Sequence, residues 1–315
     1  MTSEAKVPRR SMRLILNGKS AGNPPIRAAV EQLRKEGHSL EVRVTWEFGD
    51  AARYTREAAN DRVDVVIAGG GDGTINEVAS GLIESNPDWK PAIAVLPLGT
   101  ANDFANGCGI PIGDPLAALQ FAAQGSIFPI DVGRANDRHF VNVASGGFGA
   151  EVTANMPPEL KKAIGGAAYP LMGIVTAAKM VPHRCEISLP DGTNRQGEMF
   201  AMAIGNSIQC GGGQKLTPHA YLDDGLLDLM VVHDVSLQSF GTLLSELDRL
   251  RDESNRNVSY QQLTSFKIES ERPIQVNVDG EPMRENSFEF RILPKALSFV
   301  LPKEAPLIAT QGESK

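Results

Sequence analysis

The run Gly69-Gly70-Gly71-Asp72-Gly73-Thr74 is the first place in this chain where residue types and spacing could do chemistry. Its glycines end the apolar stretch from Val63 to Ala68, and beyond Thr74 the residues Ile75, Val78, Ala79, Leu82 and Ile83 recur at helical spacing. A buried strand, a tight turn and an amphipathic helix in that order leave the first amide N–H groups of the helix unpaired, with the positive end of its dipole behind them. An anion, most often a phosphate, fits there. The competing reading is an Asx-turn whose glycines serve backbone geometry alone. Neither standard phosphate loop matches. The third glycine of a dinucleotide fingerprint falls on Thr74, and no Gly-Lys-Ser/Thr closes the run. The earlier Gly18-Lys19-Ser20 fails as a P-loop as well, because Arg13 stands where the leading glycine belongs.

Three later segments carry the remaining candidate chemistry. Pro97-Leu98-Gly99-Thr100-Ala101-Asn102-Asp103-Phe104 offers a hydroxyl, an amide and a carboxylate to phosphate, ribose or metal, or simply caps the following helix. From Tyr221 to Leu229 the carboxylates of Asp223, Asp224 and Asp228 gather around a Gly225 turn, which suits a hard cation taking oxygen ligands or, equally, a hairpin with solvated side chains. Val278-Asp279-Gly280-Glu281-Pro282 follows an alternating strand and reads locally as a tight hairpin.

Gly70 to Thr74 is the GGDGT signature of diacylglycerol-kinase-like lipid kinases, sphingosine kinases and NAD kinases. The loop from Pro97 to Phe104 matches the second lipid-kinase signature, PLGTxNDF, and Asp224 to Leu229 matches DGLLDL. With the opening LILNGKS and the segment RVTWEFGDAARY, the chain resembles the YegS-like branch of the diacylglycerol kinase catalytic-domain family over nearly its whole length. Gly18 replaces the proline usual after Asn17 in that family.

The resemblance implies an ATP-dependent lipid kinase that phosphorylates a lipid hydroxyl, of phosphatidylglycerol or a diacylglycerol-like lipid. ATP as co-substrate would lie on Gly71, Asp72, Gly73, Thr74, Ile75, Asn76, Glu77 and Thr100, with Thr45 nearby. Mg²⁺, with Ca²⁺ as a substitute, would be held by Asp224 and the carbonyls of Tyr221 and Leu226, and Glu281 would be the general base. Two rival readings are an NAD-kinase-like enzyme and a non-catalytic lipid- or nucleotide-binding regulator. The lipid-kinase signatures weigh against the first, and the intact Asp72 and Glu281 against the second.

Positioning these groups requires two kinds of scaffold. Up to about residue 131 strands and helices alternate: Met12 to Asn17, a helix through Leu33 closed by Gly37, a strand through Trp46, a helix with Asp50 as N-cap, the central strand and helix, Pro91 to Leu98, and a helix after Asp114-Pro115. Such repeats imply a Rossmann-like α/β domain with a mostly parallel sheet, whose ligands bind beyond the carboxyl ends of the strands. After Asp131 short strands dominate (139–144, 184–189, 198–206, 226–232, 263–269, 274–278 and 288–293), as in an antiparallel β-sandwich. Helices are expected at 159–179 and 236–251. The expected division is therefore 1–131 for the nucleotide and 132–295 for lipid and metal, with 296–308 returning to the first domain by resemblance.

Composition is that of a globular protein, with 42% hydrophobic and 22% charged residues, and 315 residues suffice for two cores. A net charge of -7 argues against a nucleic-acid partner. Cys108, Cys185 and Cys210 lie far apart and indicate neither a disulfide framework nor a zinc site. The first residues lack the apolar core of a signal peptide, and the uncharged stretch from Ala163 to Ala178 is too short and too broken by Pro170 and glycines to span a membrane. The expectation is a cytoplasmic protein that touches the inner face of the membrane transiently to reach a phospholipid. The sequence does not indicate an oligomeric state.

Overall fold

The structure, a computed structural model, describes residues 9–85, 87–147, 182–234, 236 and 238–309. The chain divides into two compact units, residues 1–130 with 296–306, and residues 131–295 with 307–315. The helix expected at 159–179 lies outside the described residues.

The first unit is built from β1 (Ser11–Leu16), α1 (Pro24–Lys35), β2 (Ser39–Val44), α2 (Asp50–Asn60), β3 (Val65–Gly70), α3 (Asp72–Ser85), β4 (Ala92–Pro97), α4 (Asp103–Cys108) and α5 (Pro115–Gln124). Its strands are all parallel in the order β2-β1-β3-β4. Both β3 and β4 are buried along their whole length, which is why they read as continuous apolar runs. On one face Met12, Leu14 and Leu16 of β1 pack with Ile26, Ala29, Val30 and Leu33 of α1 and with Ala118, Leu119, Ala122 and Ala123 of α5. The Asp114 side chain caps α5 by accepting the Ala117 N–H, with proline at the first helical position.

Three local expectations change. Strand β2 ends at Val44, so Trp46 stands in the loop beyond it. Helix α3 begins at Asp72, not after Thr74, so the DGT residues form its first turn. Asp50 is not the N-cap of α2 but its first residue, after Gly49 at φ 90°. Its carboxylate turns back to accept the N–H groups of Trp46 and Glu47 at 2.7 and 3.2 Å, which, with Arg53, draws its pKa down to about 2.

Strand β5 (Ser126–Ala135) carries the chain across the boundary between the units. The second unit continues with β6 (Arg138–Phe140), β7 (Val143–Gly146), β8 (His183–Ser188), β9 (Asn194–Met199), β10 (Ala201–Gly205), the short hairpin β11 (Gln209–Cys210) and β12 (Gln214–Lys215), and β13 (Leu227–Val232). It closes with α6 (Phe240–Leu247), β14 (Val258–Leu263), β15 (Ser265–Val278) and β16 (Glu281–Leu301), whose last residues enter the first unit and pair parallel to β4 at Phe299 and Ile93. The order β14-β13-β10-β7-β15-β16 is antiparallel throughout, with the β8–β9 hairpin on β15. Alternation sends Met202 and Ile204 of β10 into one core, and Ala201 and Ala203 into another.

The strands expected at 263–269 and 274–278 are one strand, with an irregularity in pairing between Glu269 and Ile274 around Pro273, a residue with no N–H to give. Likewise 288–293 and 296–301 are parts of β16. Strand β14 was not expected: its sequence VSYQQL is too polar to register as a strand.

Candidate functional site

The phosphate-type turn is made by backbones pressed together. The parallel register sets Leu16 beside Val44 and Gly69, and Gly70 beside Pro97, so the loops after β1, β2, β3 and β4 leave one edge of the sheet. A Cβ on Gly99 would lie 2.6 Å from the Gly71 Cα, and one on Gly70 would run into the Thr74 side chain. Only glycine permits that approach. Nothing lies within 4 Å of a Cβ built on Gly73, so space is open beside the first turn of α3, at the positive end of the helix dipole; the N–H groups of Thr74 and Ile75 donate to the Gly71 carbonyl at 3.0 and 3.2 Å.

Asp72 ties the two signature loops into one body. Its oxygens accept the N–H groups of Asp103 and Phe104, each at 3.0 Å, placing a carboxylate at the start of α4. Asn102, at φ 50°, closes the second loop: its amide accepts the Gly99 N–H at 2.8 Å and donates to the Gly99 carbonyl at 2.9 Å. Its polar groups shape the loop, while Thr100 remains exposed. Glu77 reaches from α3 to the start of α2, where Oε1 accepts the N–H groups of Gly49 and Ala51 at 2.8 and 3.1 Å. Thr45 Oγ1 accepts the Gly18 N–H at 3.3 Å, and a Cβ on Gly18 would strike the Thr45 carbonyl. Thr74 and Ile75 are buried, and the Asn76 side-chain oxygen is buried without a partner. Thr45, Gly71, Asp72, Gly73, Thr74, Ile75, Asn76, Glu77 and Thr100 thus all stand on the first unit, at or next to this edge.

In the second unit Tyr221, Asp224 and Leu226 share one loop leading into β13. Asp224 accepts the Leu226 N–H at 3.0 Å, and Gly225 has φ 75°. Burial pushes the Asp224 carboxyl up to about 6, reinforced by the neighbouring charges of Asp228, Asp131 and Asp223 and opposed by the Leu226 N–H. A cation beside Asp224 would relieve that repulsion. Among the described residues no three His, Cys, Asp or Glu side chains converge on a metal position, so a cation at Asp224 would need backbone carbonyls to complete its donors. Oxygen donors alone suit Mg²⁺ or Ca²⁺, and the residues fit such an ion. Asp223 is engaged with the Ala309 N–H at 2.7 Å, and Asp228 with Tyr260 and Gln262.

Glu281 is exposed at the start of β16 and pairs with Val278 across a two-residue turn. Asp279 and Gly280 occupy that turn at φ 47° and 98°, the signature of a type I′ hairpin. The Asp279 carboxylate accepts the N–H groups of Val141 at 2.7 Å and of Asn142 and Val143 at 3.1 Å.

Three groups that sequence reading missed connect the hairpin to the Asp224 loop. The Asn142 carbonyl accepts the N–H groups of Asn206 and Ser207 at 2.9 Å. The Asn206 side chain donates to the carbonyls of Val141 and Asp131 at 2.9 and 3.1 Å. Fully buried Asp131 accepts the N–H groups of Gly225 and Lys295, each at 2.7 Å. No local pattern marks these residues, since each bond spans dozens of positions. Only the Asp-Gly pair, which favours positive φ, was readable as special.

Comparison with known proteins gives the geometry its relatives. Residues 11–135 match the diacylglycerol kinase catalytic domain, and residues 142–301 match the YegS C-terminal NAD kinase beta sandwich-like domain. The chain is 45% identical over 299 residues to a Chromohalobacter salexigens protein called "Probable lipid kinase YegS-like", with 95% of each chain covered. A Serratia proteamaculans protein of the same name is 44% identical over 303 residues, covering 96% of this chain and 97% of its own. Among solved structures, "Crystal structure of a putative diacylglycerol kinase from Bacillus anthracis str. Sterne" superimposes with a TM-score of 0.76 at 28% identity, covering 97% of this chain and 99% of that one. Near-complete coverage at such identity, on a parallel α/β unit followed by an antiparallel sandwich, means that the chain belongs to the YegS-like lipid kinase family.

Proposed function

We propose that this protein transfers the γ-phosphoryl group of ATP to a lipid hydroxyl, with phosphatidylglycerol or a diacylglycerol-like lipid as acceptor. The observation that carries the reading is the Gly71–Gly99 close approach clasped by Asp72, which makes an open turn at the start of a helix and at the carboxyl ends of parallel strands. The first unit is the nucleotide-binding body, with the phosphates over the Gly71–Glu77 turn, Thr100 beside them and Thr45 near the nucleotide. The second unit carries the lipid and a metal ion held by Asp224 and the carbonyls of Tyr221 and Leu226.

Phosphoryl transfer asks little covalent chemistry of a protein beyond positioning, charge cover and a proton acceptor. The lipid hydroxyl oxygen forms a bond to the γ-phosphorus while the bond from that phosphorus to the β–γ bridging oxygen breaks, and ADP leaves. The hydroxyl proton passes to Glu281, a carboxylate at the exposed end of a hairpin fixed from behind by Asp279. Mg²⁺, when bound, supplies positive charge against the phosphates or holds the Asp224 loop. The amides at the start of α3 hold the phosphates in place through the transfer. The working location is the cytoplasm, with transient contact at the inner face of the membrane.

Labelled ATP offered with phosphatidylglycerol, diacylglycerol, sphingosine and NAD tests the reading. Label is expected in a glycerolipid and to fall by roughly two to four orders of magnitude in Glu281→Gln, the range of lost acid–base catalysis. Label in NAD, or in nothing, would overturn it.

A further inference from the structure

Trp46 and Phe48 stand in the loop between β2 and α2 with 94% and 79% of their surface exposed, the two highest values among the large hydrophobic side chains described. A ring that faces water on nearly all sides costs free energy that a protein recovers only by covering it. The backbone beneath is anything but loose. Asp50 accepts the N–H groups of Trp46 and Glu47, Arg53 pairs with Asp50 at 2.6 Å, and Glu77 accepts the N–H groups of Gly49 and Ala51. Two carboxylates thus fix a pedestal from which both rings project, and little backbone freedom remains to be lost on binding.

We propose that Trp46 and Phe48 insert into the interfacial layer of a lipid bilayer and dock the first unit on it. The inference rests on the lipid-kinase reading, which requires the enzyme to meet a lipid surface. Rings standing clear of the protein have no second wall against which to hold a flat base, whereas the headgroup boundary of a bilayer surrounds them and suits Trp in particular. The loop leaves the same edge of the sheet as the phosphate turn. Charge around the rings is close to balanced. Lys19 is exposed in the neighbouring loop, joined to this one by the Gly18 N–H on Thr45 Oγ1; of the carboxylates in and under the ring-bearing loop, Asp50 is buried and paired with Arg53, Glu77 accepts the Gly49 and Ala51 N–H groups, and exposed Glu47 stays in the headgroup layer. Because Glu47 offsets Lys19, aromatic burial carries the binding and its salt dependence is weak.

The chain has two tryptophans, so Trp89→Phe leaves Trp46 as the sole indole reporter. Mixed with phosphatidylglycerol–phosphatidylcholine vesicles in the absence of ATP, this variant should show blue-shifted emission and quenching by brominated acyl chains. The double variant Trp46→Ala, Phe48→Ala should lose at least about tenfold in vesicle co-sedimentation, as expected for two aromatic side chains left without a membrane. Its KM for ATP and its turnover of a short-chain, water-soluble lipid should stay within about twofold of the parent. Unshifted emission on vesicles overturns the proposal. So does a raised KM for ATP with vesicle binding intact, which would assign the rings to the nucleotide base. Vesicle binding that depends on the rings, in a protein that phosphorylates no lipid, supports the docking surface and sinks the kinase reading alone.

Discussion

Asp279→Asn should unfold the second unit at a lower temperature, and the size of the effect follows from its contacts. The carboxylate takes amide N–H groups from Val141, Asn142 and Val143, of which Val141 and Val143 are 0% and 2% exposed, so water cannot replace it there. Asparagine keeps one oxygen and turns an NH₂ towards the others, leaving at least one buried amide facing a donor, a loss of about 1–3 kcal/mol. The bonds that survive also lose their ionic acceptor, which makes them roughly half as strong. Asparagine tolerates the left-handed φ of 47° as well as aspartate does, so backbone strain adds nothing. A total near 3 kcal/mol corresponds to a melting shift of roughly 6–12 °C for a unit of this size. Differential scanning calorimetry measures it, with Glu281→Gln alongside. Exposed Glu281 should leave melting within about 1 °C of the parent while turnover collapses. If Asp279→Asn melts like the parent and abolishes turnover, whereas Glu281→Gln retains it, the proton acceptor is Asp279 and the assignment is wrong.

Asp72→Asn should weaken ATP binding and lower melting together, by about 1–3 kcal/mol for the amide left without an acceptor at the start of α4; unchanged KM and melting would reduce Asp72 to a turn residue. Gly99→Ala should raise KM for ATP at least about tenfold, because its Cβ would press on the Gly71 backbone; a parental KM would show that the two loops are not held in this contact during binding. Burial pushes the Asp224 carboxyl up to about 6 in the folded protein, above its ordinary value, so the stability it contributes is complete below the unfolded value and is lost as pH rises through about 6. The metal-free protein should therefore lose stability across that window, Mg²⁺ should restore it increasingly above pH 6, and Asp224→Ala should abolish the Mg²⁺ increment in melting temperature; an equal increment in that variant would move the ion elsewhere.

The parallel unit was the most legible part of the chain because its signals are local. Buried β3 ends in a run of glycines, and α5 carries its cap, its proline and its terminal glycine within a dozen residues. The sandwich was less legible in its boundaries. Pro273 and Pro294 read as strand ends, yet β15 absorbs one as a pairing irregularity and β16 continues past the other with Lys295 at φ 49°. The start of α3 was misread for a different reason. Asp72 and Gly73 look like turn residues, but Asp72 can sit in a helical first turn because its carboxylate is already satisfied by α4, some thirty positions away in the chain.

That last case exposes what no reading of residue types could supply. Asp50, Asp72, Glu77, Asp131 and Asp279 all accept backbone N–H groups, and all but Asp50 do so across more than two dozen positions of the chain. A carboxylate that organises backbone and one that binds a metal or takes a proton look identical in sequence, since both need a short acidic side chain beside a turn. Geometry separates them by occupancy. Asp279 spends its oxygens on three amides, whereas Glu281, two positions on, is exposed at the end of a strand. An aspartate whose oxygens are committed to amides changes melting when it becomes asparagine, and an exposed carboxylate that takes a proton changes turnover alone. The acidic residues of this chain therefore sort by which of the two quantities moves, and Asp72, placed at the phosphate turn and clasping α4, is the one expected to move both.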